Sequence, residues 1–185
     1  MKFNRLAPVL LFAGLSLTAT SSHAEGLRFF PGFQSGFKFA PTLAVSAGVM
    51  SIPDVEDHDA DFAYGLDFNF NCLLLQTPDN HLRTHLQVNH TDNSGLKSTS
   101  FELAPRYTLP VGGGFAFNVG PVLALVLADN GQADASLFGY GLVSGLEFRK
   151  GMFYSGIDLR YLDTNEHNDV EFENWALLAK IGINL

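Results

Sequence analysis

From about residue 38 to the C-terminus, apolar and polar positions alternate with a period of two. Successive side chains of an extended strand point to opposite faces, so this alternation means two environments along one strand. Over 62–74, Phe62, Tyr64, Leu66, Phe68, Phe70, Cys72 and Leu74 share one face, and Ala63, Gly65, Asp67, Asn69 and Asn71 the other. Leu82, Thr84, Leu86 and Val88 oppose His81, Arg83, His85, Gln87 and Asn89, and Phe101, Leu103, Pro105, Tyr107 and Leu109 oppose Glu102, Ala104 and Arg106. The same reading gives strands at 115–127, 138–148, 153–161 and 175–185, with a weaker one at about 38–50. In the later strands the minority face carries Glu147, Asp158, Arg160 and Lys180.

Eight strands are joined by connections that alternate in length. Gln76–Asn80, Pro110–Gly114 and Arg149–Gly151 are tight turns of Pro, Gly, Asn and Asp. Ser51–Asp61, Thr91–Lys97, Ala128–Ala135 and Asp163–Glu173 are longer and polar. Long and short connections then lie at opposite ends, which predicts an antiparallel up-and-down meander. The polar face of 115–148 is mainly Ala, Gly, Asn and Val, small residues that suit a crowded lumen better than a wetted surface. The apolar face is the more aromatic. Phe62, Tyr64, Phe101, Phe138, Tyr140, Tyr161 and Trp175 gather toward the loop end, and Phe39, Tyr107, Phe115, Phe117, Phe148 and Phe153 toward the turn end. Two such belts mark two membrane interfaces. The fold class expected is all-β: an eight-stranded antiparallel transmembrane β-barrel.

On these residues, 38–185 resembles the small eight-stranded outer-membrane barrels of the OmpA/OmpX type. The final strand Trp175–Leu185 is similar to the C-terminal signal of such barrels, although that family usually ends in Phe or Trp and this chain ends in Leu185. The resemblance implies the outer membrane of a Gram-negative cell, insertion by the barrel-assembly machinery, and contact with outer-membrane lipids and lipopolysaccharide.

Composition then places the rest of the chain. Mean hydropathy is +0.12, with 16% charged residues, yet no apolar run after the N-terminus reaches the ~20 residues of a membrane helix. Lys2 and Arg5 precede an apolar stretch, Leu6–Leu17, and Ser22-His23-Ala24 supplies a small-residue cleavage site. Residues 1–24 therefore read as a signal peptide. Its removal takes the net charge from −8 to −10, a sign that excludes the basic footprint of a nucleic-acid binder. Residues 25–37 read as a periplasmic lead-in, in which Pro31 and Gly32 interrupt any helix formed by Phe29, Phe30, Phe33 and Phe37. Cys72 is the single cysteine, so no internal disulfide forms, and a small buried or lipid-facing hydrophobe is its plain reading.

The candidate chemistry is sparse. Asp67, His81, Arg83, His85, Glu102, Arg106, Glu147, Asp158, Arg160 and Lys180 form the inward polar set, both signs present. A narrow lumen favours their pairing into a plug; a gated pore is the alternative. His81 and His85 are ~13 Å apart along the strand, too far to share a metal. Oxygen-rich loops carrying Asp54, Glu56, Asp57, Asp59 and Asp61, and Asp163, Glu166 and Asp169, suit Ca²⁺ or Mg²⁺, though charge runs of this kind are commonly just solvated. His90 with Ser94 invites comparison with outer-rim lipid A enzymes, but Asp92 breaks the two-residue His–Ser spacing of the deacylases. No cofactor motif is present. The expectation is a monomeric, non-enzymatic outer-membrane barrel with structural or loop-mediated work, and alternatively a lipid A modifying enzyme or a small pore.

Overall fold

A computed structural model describes residues 26–51, 61–93, 96–129, 134–165 and 173–185. Its strands are β1 (Arg28–Phe29), β2 (Thr42–Ser51), β3 (Asp61–Asn71), β4 (Leu75–Gln76), β5 (Leu82–Asn93), β6 (Leu96–Gly112), β7 (Phe115–Asp129), β8 (Asp134–Lys150), β9 (Phe153–Thr164) and β10 (Asn174–Asn184). Eight of them close into a barrel in the order β10-β2-β3-β5-β6-β7-β8-β9, every neighbour antiparallel. The closing ladder runs unbroken from Trp175 opposite Ser51 to Asn184 opposite Thr42. Strands β1 and β4 form a separate two-stranded sheet.

Period two becomes inside and outside. On β7, Phe117, Pro121, Leu123, Leu125 and Leu127 stay exposed, while Ala116, Asn118, Val122, Ala124 and Val126 are buried. Around the barrel the exposed face is a continuous apolar wall that includes Leu43, Leu66, Leu86, Leu103, Leu142, Ile157 and Ile181. Its rings meet at both ends: Tyr161 packs on Trp175 at 4.8 Å, and Phe115 on Phe148 at 4.8 Å. The no-donor residues of the wall are concentrated at one point. Leu103 opposite Leu123 and Tyr107 opposite Val119 set Pro105 against Pro121, where the β6–β7 ladder is interrupted.

Closing only eight strands demands sharp curvature, and inward glycines supply it. A Cβ on Gly141 would stand 1.9 Å from the Tyr161 carbonyl oxygen, and one on Gly48 1.9 Å from that of Leu177.

Several sequence expectations are corrected. The strand expected to run to Leu74 leaves the barrel at Asn71, where Phe39 O receives the Asn71 N–H and Leu82 O the Cys72 N–H. The barrel begins at Thr42 rather than 38, and a 3₁₀ turn at Pro31–Phe33 interrupts the extended lead-in. Two connections expected to be long are largely strand, because β5 and β6 pair as far as Asn93 opposite Leu96 and β7 and β8 as far as Asp129 opposite Asp134. These ends carry polar residues such as Asp92, Lys97 and Asp129 beside small ones such as Ala128 and Ala135, so no large apolar face marks them and alternation is silent there. At the third turn the bend lies at Gly151–Met152, leaving Arg149 and Lys150 in β8.

Replacing Gly141 with Ala is expected to cost about 1–3 kcal/mol through overpacking against backbone. Gly139→Ala on the same face meets mainly the Leu162 side chain, which gives way, and is expected to cost less. Urea unfolding midpoints in phospholipid micelles check the difference.

Candidate functional site

The inward face divides along the barrel axis. Toward the loops, Met50, Val122, Val126, Leu137, Val143, Leu162 and Leu178 pack into an apolar cluster contributed by β2 and β7–β10. The wall opposite is polar, with Asn89, Thr91, Ser98, Ser100 and Glu102 all buried on β5 and β6. Arg160 reaches across from β9 to pair with Glu102, and its other nitrogen donates to Asn174 Oδ1 at 3.2 Å. The same Glu102 oxygen accepts from Asn89 at 2.9 Å and from the Ser100 hydroxyl at 2.5 Å.

The middle of the lumen holds the main network. Lys180 Nζ on β10 donates to Asp67 at 3.0 Å and to Asp158 at 2.7 Å. Arg106 on β6 donates to the same Asp158 oxygen at 2.8 Å, and to Gln87 and Asn118 at 3.2 Å each. Asp67 also receives Gln87 Nε2 at 2.8 Å, Asn69 Nδ2 at 3.0 Å and lies 3.0 Å from His85 Nδ1. Lys180 and Arg106 thus balance Asp67 and Asp158, two charges of each sign from four strands. An unpaired charge at this depth is costly, so the members hold one another in place. Asp158 Oδ1, His85 Nε2 and the Tyr154 hydroxyl have no hydrogen-bond partner among the described residues.

Toward the turns, Arg149 forks onto Glu147 with two contacts of 3.1 Å and also donates to Thr42, Asn184 and Asn69. Its guanidinium lies 4.5 Å from the centre of the fully buried Tyr154 ring. Arg83 donates to Asn69, Asn71 and the Ala40 carbonyl. These groups open on a vestibule of about 330 Å³ at the turn end, bordered by Asp79, Asn80 and Thr108.

Nine of the inward residues expected from the sequence occupy buried positions in these three layers: Asp67, Arg83, His85, Glu102, Arg106, Glu147, Asp158, Arg160 and Lys180. His81 does not join them. It precedes β5, edges onto the Tyr107 ring at 5.6 Å and stands 3.3 Å from its hydroxyl. Arg149 and Tyr154 were not foreseen as network members; continuing the alternation past Glu147 would have placed Arg149 inward.

The loop candidates fare differently. Asp54, Glu56, Asp57, Asp59, Glu166 and Asp169 lie outside the described residues. Asp61 opens β3, and Asp163 receives the Tyr140 hydroxyl at 3.2 Å. Among the described residues no group of three acids, histidines or cysteines is placed to hold a metal ion. His90 faces outward between the Tyr64 ring at 5.4 Å and Thr99 Oγ1, 2.9 Å from its Nδ1, while Ser94 lies outside the described residues.

No protein-family profile matches the chain, and no curated protein matches it in sequence. Among solved structures, Neisserial surface protein A superposes with a TM-score of 0.62 over 87% of this chain and 100% of its own, at 17% identity. The chain has the fold of the small eight-stranded outer-membrane barrels. The N-terminal barrel domain of Pseudomonas aeruginosa OprF (12% identity, TM-score 0.49) and Ail of Yersinia pestis (11%, 0.42) are more distant, each matched over 80% of this chain and 100% of its own.

Lys180→Met leaves Asp67 and Asp158 with one cation between them and is expected to cost about 3–5 kcal/mol, as for a broken buried pair. Adding Asp67→Asn restores the charge balance and is expected to recover part of that loss. Chemical unfolding of both variants in lipid micelles checks the order.

Proposed function

We propose that the chain is a non-enzymatic protein of the Gram-negative outer membrane with a lumen plugged by its own side chains. It contributes structurally to the envelope or acts through its outer loops. The observation that carries the plug is the cross-lumen chain Asp67–Lys180–Asp158–Arg106, in which Asp67 and Arg106 have no exposed surface. Eight strands leave a lumen only wide enough for side chains to fill. An ion passing this layer has to displace paired charges, and toward the loops it then meets the cluster of Val122, Val126, Leu137 and Leu178.

Export through a signal peptide cleaved before Glu25 and insertion by the barrel-assembly machinery complete this reading. The apolar wall takes lipid, with lipopolysaccharide at the loop end, and the acidic loops supply the surface for external partners. Nothing in the network requires a cofactor, and no nucleic acid suits the acidic charge.

Purified protein in planar bilayers is expected to give no steady single-channel events above the empty-bilayer background. Steady unitary conductance would overturn the plug and leave the unpaired Asp158 Oδ1 and His85 Nε2 as parts of a hydrated path. An unchanged lipid A profile on overexpression is expected of a barrel without acyl-transfer activity.

A further inference from the structure

At the turn end, two segments fold together against the outside of the barrel. Phe70 and Thr84 have outward parity on β3 and β5, yet are only 9% and 8% exposed. They are covered by the chain that leaves β3, whose Cys72, Leu73 and Leu74 line an apolar cleft with Phe70, Leu86 and Leu103. That chain carries β4, and β4 pairs with β1 of the N-terminal segment. Backbone bonds continue the attachment, Phe30 N–H to Leu74 O at 2.8 Å and Gly32 N–H to Leu73 O at 3.2 Å. The Gln76 side chain fixes the root, accepting from the Leu82 N–H and donating to the Leu82 carbonyl, both at 2.8 Å. Arg28 reaches Thr77 O, Pro78 O and Asn80 Oδ1. Phe39 closes the far side, its ring 4.9 Å from that of Phe70 and 6.4 Å from that of Phe68.

This assembly lies against the same wall as Leu86 and Leu103, and it leaves Leu27, Phe29, Phe30, Phe33 and Leu74 between 52% and 88% exposed. We propose that it is a lipid-embedded foot: the β1–β4 sheet and the Pro31–Phe33 turn lie in the headgroup layer of the membrane leaflet on the turn side, with Phe29, Phe30, Phe33 and Leu74 inserted among the lipids. The occupant is lipid because the apolar surface of the foot is continuous with the lipid-facing wall. The depth follows from the backbone. A two-stranded sheet has open edges, which hydrocarbon does not tolerate and the headgroup layer does. Exposed Lys38 suits lipid phosphates at that level. The proposal rests on the membrane-barrel reading above and adds a second, in-plane attachment to it.

The test uses the full chain refolded into phosphatidylcholine vesicles, with Trp175→Phe removing the native indole and a single new Trp at Phe33 or at Leu142 on the outer wall. Phe33→Trp is expected to emit to the blue of water-exposed indole. It is also expected to be quenched more by lipid brominated near the glycerol end of the acyl chain than near the methyl end. Emission at 33 that is open to aqueous iodide and untouched by either brominated lipid, with Leu142→Trp quenched, overturns the foot and leaves the barrel in its membrane. Loss of lipid quenching at both positions overturns the membrane reading itself.

Discussion

Everything in this molecule depends on the pairing of backbone N–H and C=O groups where no water can reach them. In a bilayer each unpaired group costs several kcal/mol, so a sheet must close, and here β10 closes onto β2 through ten facing residue pairs. Closure with eight strands forces the tight curvature seen at Gly48 and Gly141, where a Cβ would run into the next strand's carbonyl. The same curvature makes the lumen narrow, and narrowness decides what the inward side chains do.

Within that lumen two kinds of packing share the axis. Valines and leucines fill one wall toward the loops, much as they would in a soluble core. In the middle, Lys180 and Arg106 meet Asp67 and Asp158 in a geometry that satisfies each charge with at least one opposite charge. Such a layer is sensitive to register. A slip of one residue between β9 and β10 would put Lys180 and Asp158 on opposite faces of the sheet, because every side chain of the slipped strand changes face, and would break their pairing. The ion pairs therefore specify which ladder forms as well as stabilising it.

Much of the barrel is legible from alternation alone because period two is geometry. Lys180 stands among Ala176, Leu178 and Gly182, which carry no polar signal, and parity still places it inside with Asp158. The rule stops working where the ladder stops. His81 has the parity of Arg83 but sits one residue before β5 begins, so its ring turns to Tyr107. Arg149 reads as part of a turn because Gly151 follows it, although β8 runs on to Lys150. The foot is legible only as a run of phenylalanines around Pro31, because its partner, Leu73–Gln76, is divided between an apparent continuation of β3 to Leu74 and a turn that opens at Gln76. Pairing between segments as distant as Arg28 and Gln76 leaves no periodic trace in either one.

Closure is also the claim most open to direct measurement. Amide hydrogen exchange of the protein in lipid bicelles, resolved to single residues, reports the pairing of every strand. The β2–β10 seam is expected to protect Leu43–Val49 and Leu177–Ile183 as strongly as the β7–β8 ladder protects its own central residues. Fast exchange confined to both sides of that seam would mean an open sheet, and would contradict the account from the backbone up.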